Sequence, residues 1–399
     1  MTADGAQRWA RPAPEGARAG ALVCSPAPGV GETSRVPLVD LSIQDRVIAD
    51  EVVEGWARVV RDGTFVLGEP VARFEEAFAA FCGVGHCVGV GNGTDALELA
   101  LRAVGVSDGD EVVLPANSFV ATAEAVSRAG GTPVLVDVDP DTLLADPERV
   151  SEAVGPRTRA IVPVHLYGQV APMEALESVC GDRIALVEDA AQAQGASRWG
   201  RMAGAFGLVG ATSFYPSKNL GAYGDAGAVL TGSNEIAGSV RLFRNHGSAT
   251  KYEHAELGFN SRLDTLQAVV LFAKLRHLRG WNELRREAAA RYDELLGDLD
   301  RVVRPTTAPG NEHVWHVYVV RVPDRDAVIA RLRSAGIGAA VHYPVPIHLQ
   351  GAFRHLGYRE GTLPVAEVAA REILSLPIYP GITSSQQERI AQMLRDAIQ

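Results

Sequence analysis

Lysine is scarce in this chain: of 38 basic residues only Lys218, Lys251 and Lys274 are lysines, and the other 35 are arginines. A guanidinium keeps its charge, so chemistry that needs a free amine has three places to reside. Cysteine is scarce too. Cys24, Cys82, Cys87 and Cys180 show no zinc-ligand spacing, because the pair at 82 and 87 has no second pair to complete a site. This argues against a zinc module and predicts reduced thiols, with Cys87 and Cys180 packed inside a cytoplasmic protein. No apolar run approaches the roughly 18 residues of a membrane span. Basic clusters are also missing, and a net charge of −10 argues against a nucleic-acid surface. It leaves room for a small anion held by backbone amides.

What is present belongs to a folded chain of more than one domain. A length of 399 residues exceeds one ordinary domain, and 47% hydrophobic with 22% charged residues suits a sizeable core. Residues 1–34, rich in Ala, Gly, Pro and Arg without apolar periodicity, are expected to be a disordered extension. From 35 onward, apolar runs at 112–114, 133–138, 160–165 and 184–187 read as strands. Helical patterns at 122–128, 147–154 and 173–179 separate them. That alternation predicts an α/β fold with a mostly parallel central sheet flanked by helices. Strands at 210–214 and 227–230 follow, joined by a glycine-rich loop, then a helix at 234–244 and a polar loop at 245–260. In the helix after it, Gln267 and Lys274 share a face away from Leu266 and Val270, so Lys274 reads as a solvated lysine. Strands at 314–322 and 338–342 around a helix at 326–335 indicate a smaller α+β domain. The expected boundaries are 35–275 for the large domain and 276–399 for the small one.

Three local patterns carry chemistry. Lys218 lies in the glycine-rich loop beside Phe214, Tyr215 and Pro216. Apolar neighbours lower a lysine pKa and make the neutral amine available as a nucleophile. Gly91-Asn92-Gly93-Thr94-Asp95 opens a helix whose free N–H groups suit a phosphate, unless Asp95 itself satisfies the helix end. Glu188 and Asp189 end a buried parallel strand, where Asp189 is either a helix cap or the counter-ion of a cationic group. Neither a dinucleotide fingerprint nor a P-loop is present. An amine, a carboxylate partner for a protonated ring nitrogen and a phosphate cup are the fixtures of pyridoxal phosphate. Phe119, ending another strand, is a candidate to stack on a flat ring or to pack in the core.

From about Val36 onward the chain resembles the DegT/DnrJ/EryC1/StrS sugar aminotransferases of the fold-type I pyridoxal-phosphate superfamily. The resemblance rests on Gly-Asn-Gly-Thr-Asp-Ala-Leu at 91–97, Glu-Asp-Ala-Ala-Gln at 188–192 and Ser-Phe-Tyr-Pro-Ser-Lys-Asn at 213–219. Gly-Asp-Ala-Gly-Ala at 224–228, Asn-His-Gly at 245–247 and Gly-Phe-Asn-Ser-Arg-Leu-Asp at 258–264 complete it. It implies that Lys218 is the lysine joined to pyridoxal 5'-phosphate and Asp189 the partner of its ring nitrogen. Gln192 would bond the phenolic oxygen, Phe119 stack on the ring, and Gly93, Thr94 and Ser213 hold the phosphate. Asn260 matches the residue that reaches the phosphate of a neighbouring subunit, which implies a homodimer with shared active sites.

The implied reaction moves an amine from L-glutamate to a nucleotide-linked keto-sugar, for an amino sugar of a secondary metabolite such as an antibiotic. Gln192 and the segment His342-Tyr343-Pro344-Val345-Pro346-Ile347-His348-Leu349 resemble enzymes acting at carbon 3 of a dTDP-3-keto-6-deoxyhexose. Tyr223, His342 and Tyr343 are the candidate substrate contacts. Amination at carbon 4 of a dTDP-4-keto sugar, or of a keto-cyclitol, is the alternative. A non-catalytic regulatory protein on the same fold is an alternative of another class, against which the intact Lys218, Asp189 and Gln192 speak. A nucleotide-binding α/β protein without the cofactor is a third.

Overall fold

Valine- and leucine-rich runs too short for helices form the centre of the molecule. The computed structural model describes residues 35–250 and 252–399, so the expected extension over 1–34, with Cys24, lies outside the described residues. Residues 35–399 make one compact unit. Helices α1 (Ser42–Asp62) and α2 (Glu69–Cys82) precede strand β1 (His86–Val90) and helix α3 (Gly93–Ala103). Then come β2 (Glu111–Pro115), α4 (Ala121–Arg128), β3 (Thr132–Val136), α5 (Pro147–Ala153), β4 (Thr158–Ile161), α6 (Met173–Cys180) and β5 (Ala185–Asp189). Strands β6 (Val209–Ser213) and β7 (Gly227–Thr231) complete one seven-stranded sheet in the order β1-β7-β6-β5-β4-β2-β3. Strand β7 runs antiparallel to both neighbours, and the pairs from β6 to β3 are parallel. Strand β1, with a histidine, a cysteine and a glycine in five residues, lacks the apolar run that predicts the others.

Successive strand residues point to opposite faces, and the packing follows. Val112 and Leu114 join one apolar cluster with Leu101 of α3 and Val126 of α4. Val113 joins another with Val150 of α5 and Leu176 of α6. Beyond β6, Phe214 is fully buried, its ring edge-on to Phe74 at 5.4 Å and Phe78 at 5.3 Å. Truncating such a residue costs about 3–5 kcal/mol, so Phe214 is a firm root for the loop that follows it. Cys82, Cys87 and Cys180 are unpaired and buried, and burial raises each thiol pKa.

Helix α7 (Asn234–Phe243) leads to the polar stretch, which holds a small antiparallel ribbon, Ser248–Thr250 with Glu253–His254, and is closed by an Asn245–Asn260 bridge. Two residues, Arg276 and His277, separate helix α8 (Thr265–Leu275) from α9 (Leu278–Leu295). Lys274 is not solvated. Helix α1 covers its face of α8, leaving the side chain 2% exposed with Nζ 3.1 Å from Asp45 Oδ1. Helical spacing shows which residues share a face but not which neighbouring helix covers it.

In the C-terminal part, α10 (Arg325–Ser334), α11 (Pro364–Glu372) and α12 (Ser384–Ile398) accompany an antiparallel pair, β8 (Tyr318–Arg321) with β9 (Ile373–Leu376). An apolar cluster of Tyr292, Tyr318, Leu332, Leu374 and Leu394 includes Val36, which pairs with Ile337. The predicted strand at 314–322 is shorter because the amides of Val314 and His316 donate to the carbonyls of Gly168 and Tyr167, both at 2.9 Å. The one predicted at 338–342 is reduced to a single bridge, Ala340 with Ser375. No helix among the described residues is long and apolar enough to cross a membrane.

Candidate active site

Strands β2, β5 and β6 deliver Ser118, Asp189 and Ser213 to one end of the sheet, where they line a cavity of about 720 Å³. Ligands gather at such carboxyl ends in open α/β sheets. Lys218, Asp189, Gln192, Gly93, Thr94, Phe119, Ser213, His342 and Tyr343 all line it. Tyr223 and Asn260 do not.

Lys218 is held by a tight loop rooted at both ends. Phe214 anchors one side, and Leu220, also fully buried, anchors the other. Gly221 closes the loop where a Cβ would stand 2.2 Å from the Pro216 carbonyl oxygen, so a side chain there would open it. Next to the lysine, Asn219 Nδ2 donates to Asn282 Oδ1 at 2.9 Å and to the Val314 carbonyl at 2.8 Å. Burial pulls the Lys218 amine down from its ordinary 10.5 to about 8, with Asp189 pulling weakly the other way.

The two carboxylates at the end of β5 have separate fates. Glu188 accepts from His165 Nε2 at 2.8 Å and from the amides of Gly204, Phe206 and Gly207, each at 2.7 Å. It holds a loop and is fully occupied. Asp189 accepts from Thr122 Oγ1 at 2.8 Å and from the Ala191 amide at 3.1 Å. Because the Thr122 proton goes to Asp189, Ser118 is the donor in its 2.7 Å bond with Thr122. Burial raises the Asp189 pKa, against these two bonds and the charge of Lys218. A cation brought against this carboxylate would favour its ionised form.

At the start of α3 the cap is Asn92: its side chain accepts from the Asp95 amide at 2.8 Å. Its carbonyl takes the Ala96 amide at 3.1 Å. The amides of Gly93 and Thr94 are left with no protein acceptor among the described residues. Asp95 is engaged elsewhere, accepting from Ser261 Oγ at 2.7 Å. Gly93 passes so close to β6 that a Cβ would meet that of Ser213 at 2.5 Å. Ser213 Oγ accepts from the Tyr215 amide at 3.3 Å, which leaves its own hydrogen to donate. Two amides and a hydroxyl are therefore left as donors on this cavity with no acceptor among the described residues to serve.

Phe119 is half exposed, not packed in the core, with its ring 5.2 Å from that of Tyr343. Gln192 Nε2 donates to the Tyr343 hydroxyl at 3.0 Å. His342 Nδ1 lies 2.7 Å from Ser375 Oγ, and burial lowers its pKa to about 4. Tyr223 does not line the cavity; its ring is edge-on to Trp56 at 6.0 Å, with Lys274 Nζ 4.6 Å from the ring centre. Asn260 is exposed.

Sequence reasoning passed over Thr122, Tyr167 and His316. His316 is buried and lines the cavity. Since Asn219 Nδ2 is spent on two acceptors, its Oδ1 accepts from His316 Nδ1 at 3.2 Å. This fixes the tautomer and leaves Nε2 as a bare acceptor, with burial and then Lys218 holding the ring well below its ordinary pKa. Only a motif linking 219 to 316 across 97 residues would have signalled it.

A profile of the DegT/DnrJ/EryC1/StrS aminotransferase family matches residues 47–395. Among curated relatives, the pleiotropic regulatory protein of Geobacillus stearothermophilus is 46% identical over 364 residues, 90% of this chain and 98% of that one. The dTDP-3-amino-3,4,6-trideoxy-alpha-D-glucose transaminase of Streptomyces venezuelae is 46% identical over 367 residues, 92% of this chain and 97% of that one. Among solved structures, S. venezuelae DesV in complex with a ketimine intermediate superposes with a TM-score of 0.89 at 46% identity, covering 91% of this chain and 98% of that one. The chain belongs to the DegT/DnrJ/EryC1/StrS aminotransferase family, and it is an aminotransferase.

Proposed function

We propose that this aminotransferase passes the amino group of L-glutamate to carbon 3 of a dTDP-3-keto-6-deoxyhexose, working in the cytoplasm as a homodimer with pyridoxal 5'-phosphate. The observation that carries the reading is the meeting of Lys218, Asp189 and the free amides of Gly93 and Thr94 in one cavity. These residues fit the cofactor: three uncommitted donors for a phosphate, a buried carboxylate for a ring cation and an amine poised near neutrality. When bound, pyridoxal phosphate supplies an aldehyde that condenses with amines and a ring that accepts the electron pair left by a departing proton.

The chain's own residues do the rest. Asp189, fixed by Thr122 and the Ala191 amide, favours a protonated ring nitrogen. The Lys218 amine, with its pKa lowered to about 8, takes a proton from one carbon and returns it to another. Gly93, Thr94 and Ser213 fix the phosphate end, and Phe119, with its ring against Tyr343, lines the same cavity as a face for the ring. Asn260 is exposed and does not line the cavity of its own chain, which supports a role toward a neighbouring subunit.

Likeness to the transaminase named for a dTDP-3-amino sugar supports the substrate. An equally similar relative bears a regulatory name, but a full set of lysine, carboxylate and phosphate donors favours catalysis. The test loads the enzyme with L-glutamate and offers 3-keto and 4-keto dTDP-sugars and a keto-cyclitol. Transfer to the 3-keto sugar is expected to be fastest. Preference for either other substrate overturns the carbon-3 assignment, and no visible band after adding pyridoxal phosphate overturns the cofactor.

A further inference from the structure

Tyr167 occupies a single 3-10 turn, Leu166–Gly168, with φ 62° and ψ −3°. A large L-residue is disfavoured in this left-handed region by contact of its Cβ with the backbone, so surrounding contacts must impose it. They are present. The carbonyls of Tyr167 and Gly168 accept from the amides of His316 and Val314, both at 2.9 Å. The conformation turns the Tyr167 amide onto Gln192 Oε1 at 2.7 Å and sends its phenol to the His342 carbonyl at 2.6 Å. One residue thus grips both Gln192, which follows β5, and the C-terminal segment that carries Tyr343.

The polarity of this chain of bonds is forced. A backbone amide only donates, so the Gln192 atom facing Tyr167 is the carbonyl oxygen. The other amide atom is then nitrogen and only donates, so at 3.0 Å the Tyr343 oxygen is the acceptor. The Tyr343 proton is left over. No protein acceptor takes it among the described residues, and Tyr343 lines the cavity, its ring against Phe119. Burial and nearby Asp189 raise the phenol pKa, so the proton stays on.

We propose that Tyr167 is a positioning residue that fixes the Tyr343 hydroxyl as a hydrogen-bond donor into the cavity, selecting a sugar substrate with an acceptor oxygen, keto or hydroxyl, at that point. The proposal rests on the aminotransferase reading of the same cavity. Tyr167→Phe removes the bond to the His342 carbonyl and keeps the amide grip on Gln192. Gln192→Glu keeps the shape but reverses the polarity, since a carboxylate accepts from both tyrosines and captures the Tyr343 proton.

The experiment measures both half-reactions of Tyr167→Phe, Gln192→Glu and Tyr343→Phe, with crystal structures of the first two. For Tyr167→Phe the expected result is a KM for the keto-sugar raised about tenfold, the worth of one hydrogen bond, and raised more than the KM for L-glutamate. Its crystal structure is expected to show Tyr343 displaced or in two positions. Gln192→Glu is expected to match Tyr343→Phe in its loss of keto-sugar affinity. For Tyr167→Phe, equal changes in both half-reactions, or an undisturbed Tyr343 with KM unchanged, overturn the proposal. Should Tyr167→Phe not fold, the agreement or disagreement of the other two variants decides. An unmodified enzyme that transfers to no keto-sugar sinks the parent reading instead, and the crystal structures still decide the positioning role.

Discussion

Glu188 and Asp189 are neighbours in β5, yet their carboxylates serve opposite faces of the sheet. Glu188 is saturated by one imidazole and three backbone amides, whereas Asp189 has two bonds and looks into the cavity. The two therefore separate stability from chemistry. Glu188→Gln sets an amide NH2 among donors that need an acceptor, and is expected to cost about 3 kcal/mol in urea unfolding. Asp189→Asn is expected to stay within about 1 kcal/mol of the parent while slowing the glutamate half-reaction on the order of a hundredfold. The reverse pattern would show that the roles have been misassigned.

The Lys218 amine gives a pH signature. Its pKa falls from 10.5 in an unfolded chain to about 8 in the fold. Between those values the unfolded chain holds the extra proton, so this residue makes stability rise with pH from about 8 to 10.5. Below that window the burial penalty of the charged amine is fully present. The rate at which cofactor-free protein develops a visible band with pyridoxal phosphate is expected to climb with pH, half-maximal near 8. Lys218→Arg should give no band. A flat profile up to pH 10 would refute the lowered amine.

How much of this was legible depends on the range of the interactions. Lys218, Asp189 and Gly93 declare themselves locally, by rarity, by the end of an apolar strand and by a glycine at a helix start. The parallel sheet follows from apolar runs alternating with helical ones. What stayed hidden depends on partners far along the chain. Tyr167 has meaning only beside Gln192 and His342, His316 only beside Asn219, and Lys274 only beside Asp45. Strand β9 is hidden for the same reason: Ile373–Leu376 follows α11 without a turn signal and is a strand because Tyr318–Arg321 lies beside it.

The Lys274–Asp45 pair predicts an asymmetry. Lys274 is 2% exposed and Asp45 36% exposed, so the two removals leave unlike groups behind: a buried ammonium, or a more exposed carboxylate that keeps its hydrogen bond with Tyr223. Asp45→Asn strands an ammonium inside the protein, at an expected cost of about 3–5 kcal/mol. Lys274→Met leaves a carboxylate that reaches water, at about 1–2 kcal/mol, part of it lost cation–π contact with Tyr223. Thermal or urea unfolding of the two variants checks the order. Equal costs would mean that Lys274 is less enclosed than its position between α1 and α8 indicates.

Asn260 offers a test of whether the active sites are shared. Lys218→Ala and Asn260→Ala are each expected to be inactive or nearly so when alone. If Asn260 serves its own chain, a mixed dimer has one site without the lysine and one without the asparagine, and mixing restores nothing. If it serves the partner, the site that keeps Lys218 receives Asn260 from the other chain and is intact, while its twin carries both defects. Half the dimers in an equal mixture are mixed and half their sites are whole, so activity should return to about a quarter of the parent level. The recovery must require subunit exchange: variants mixed after crosslinking should stay inactive. An unmixed sample that runs as a monomer while fully active would remove the premise, because a lone chain leaves Asn260 facing solvent and outside the cavity it is meant to complete.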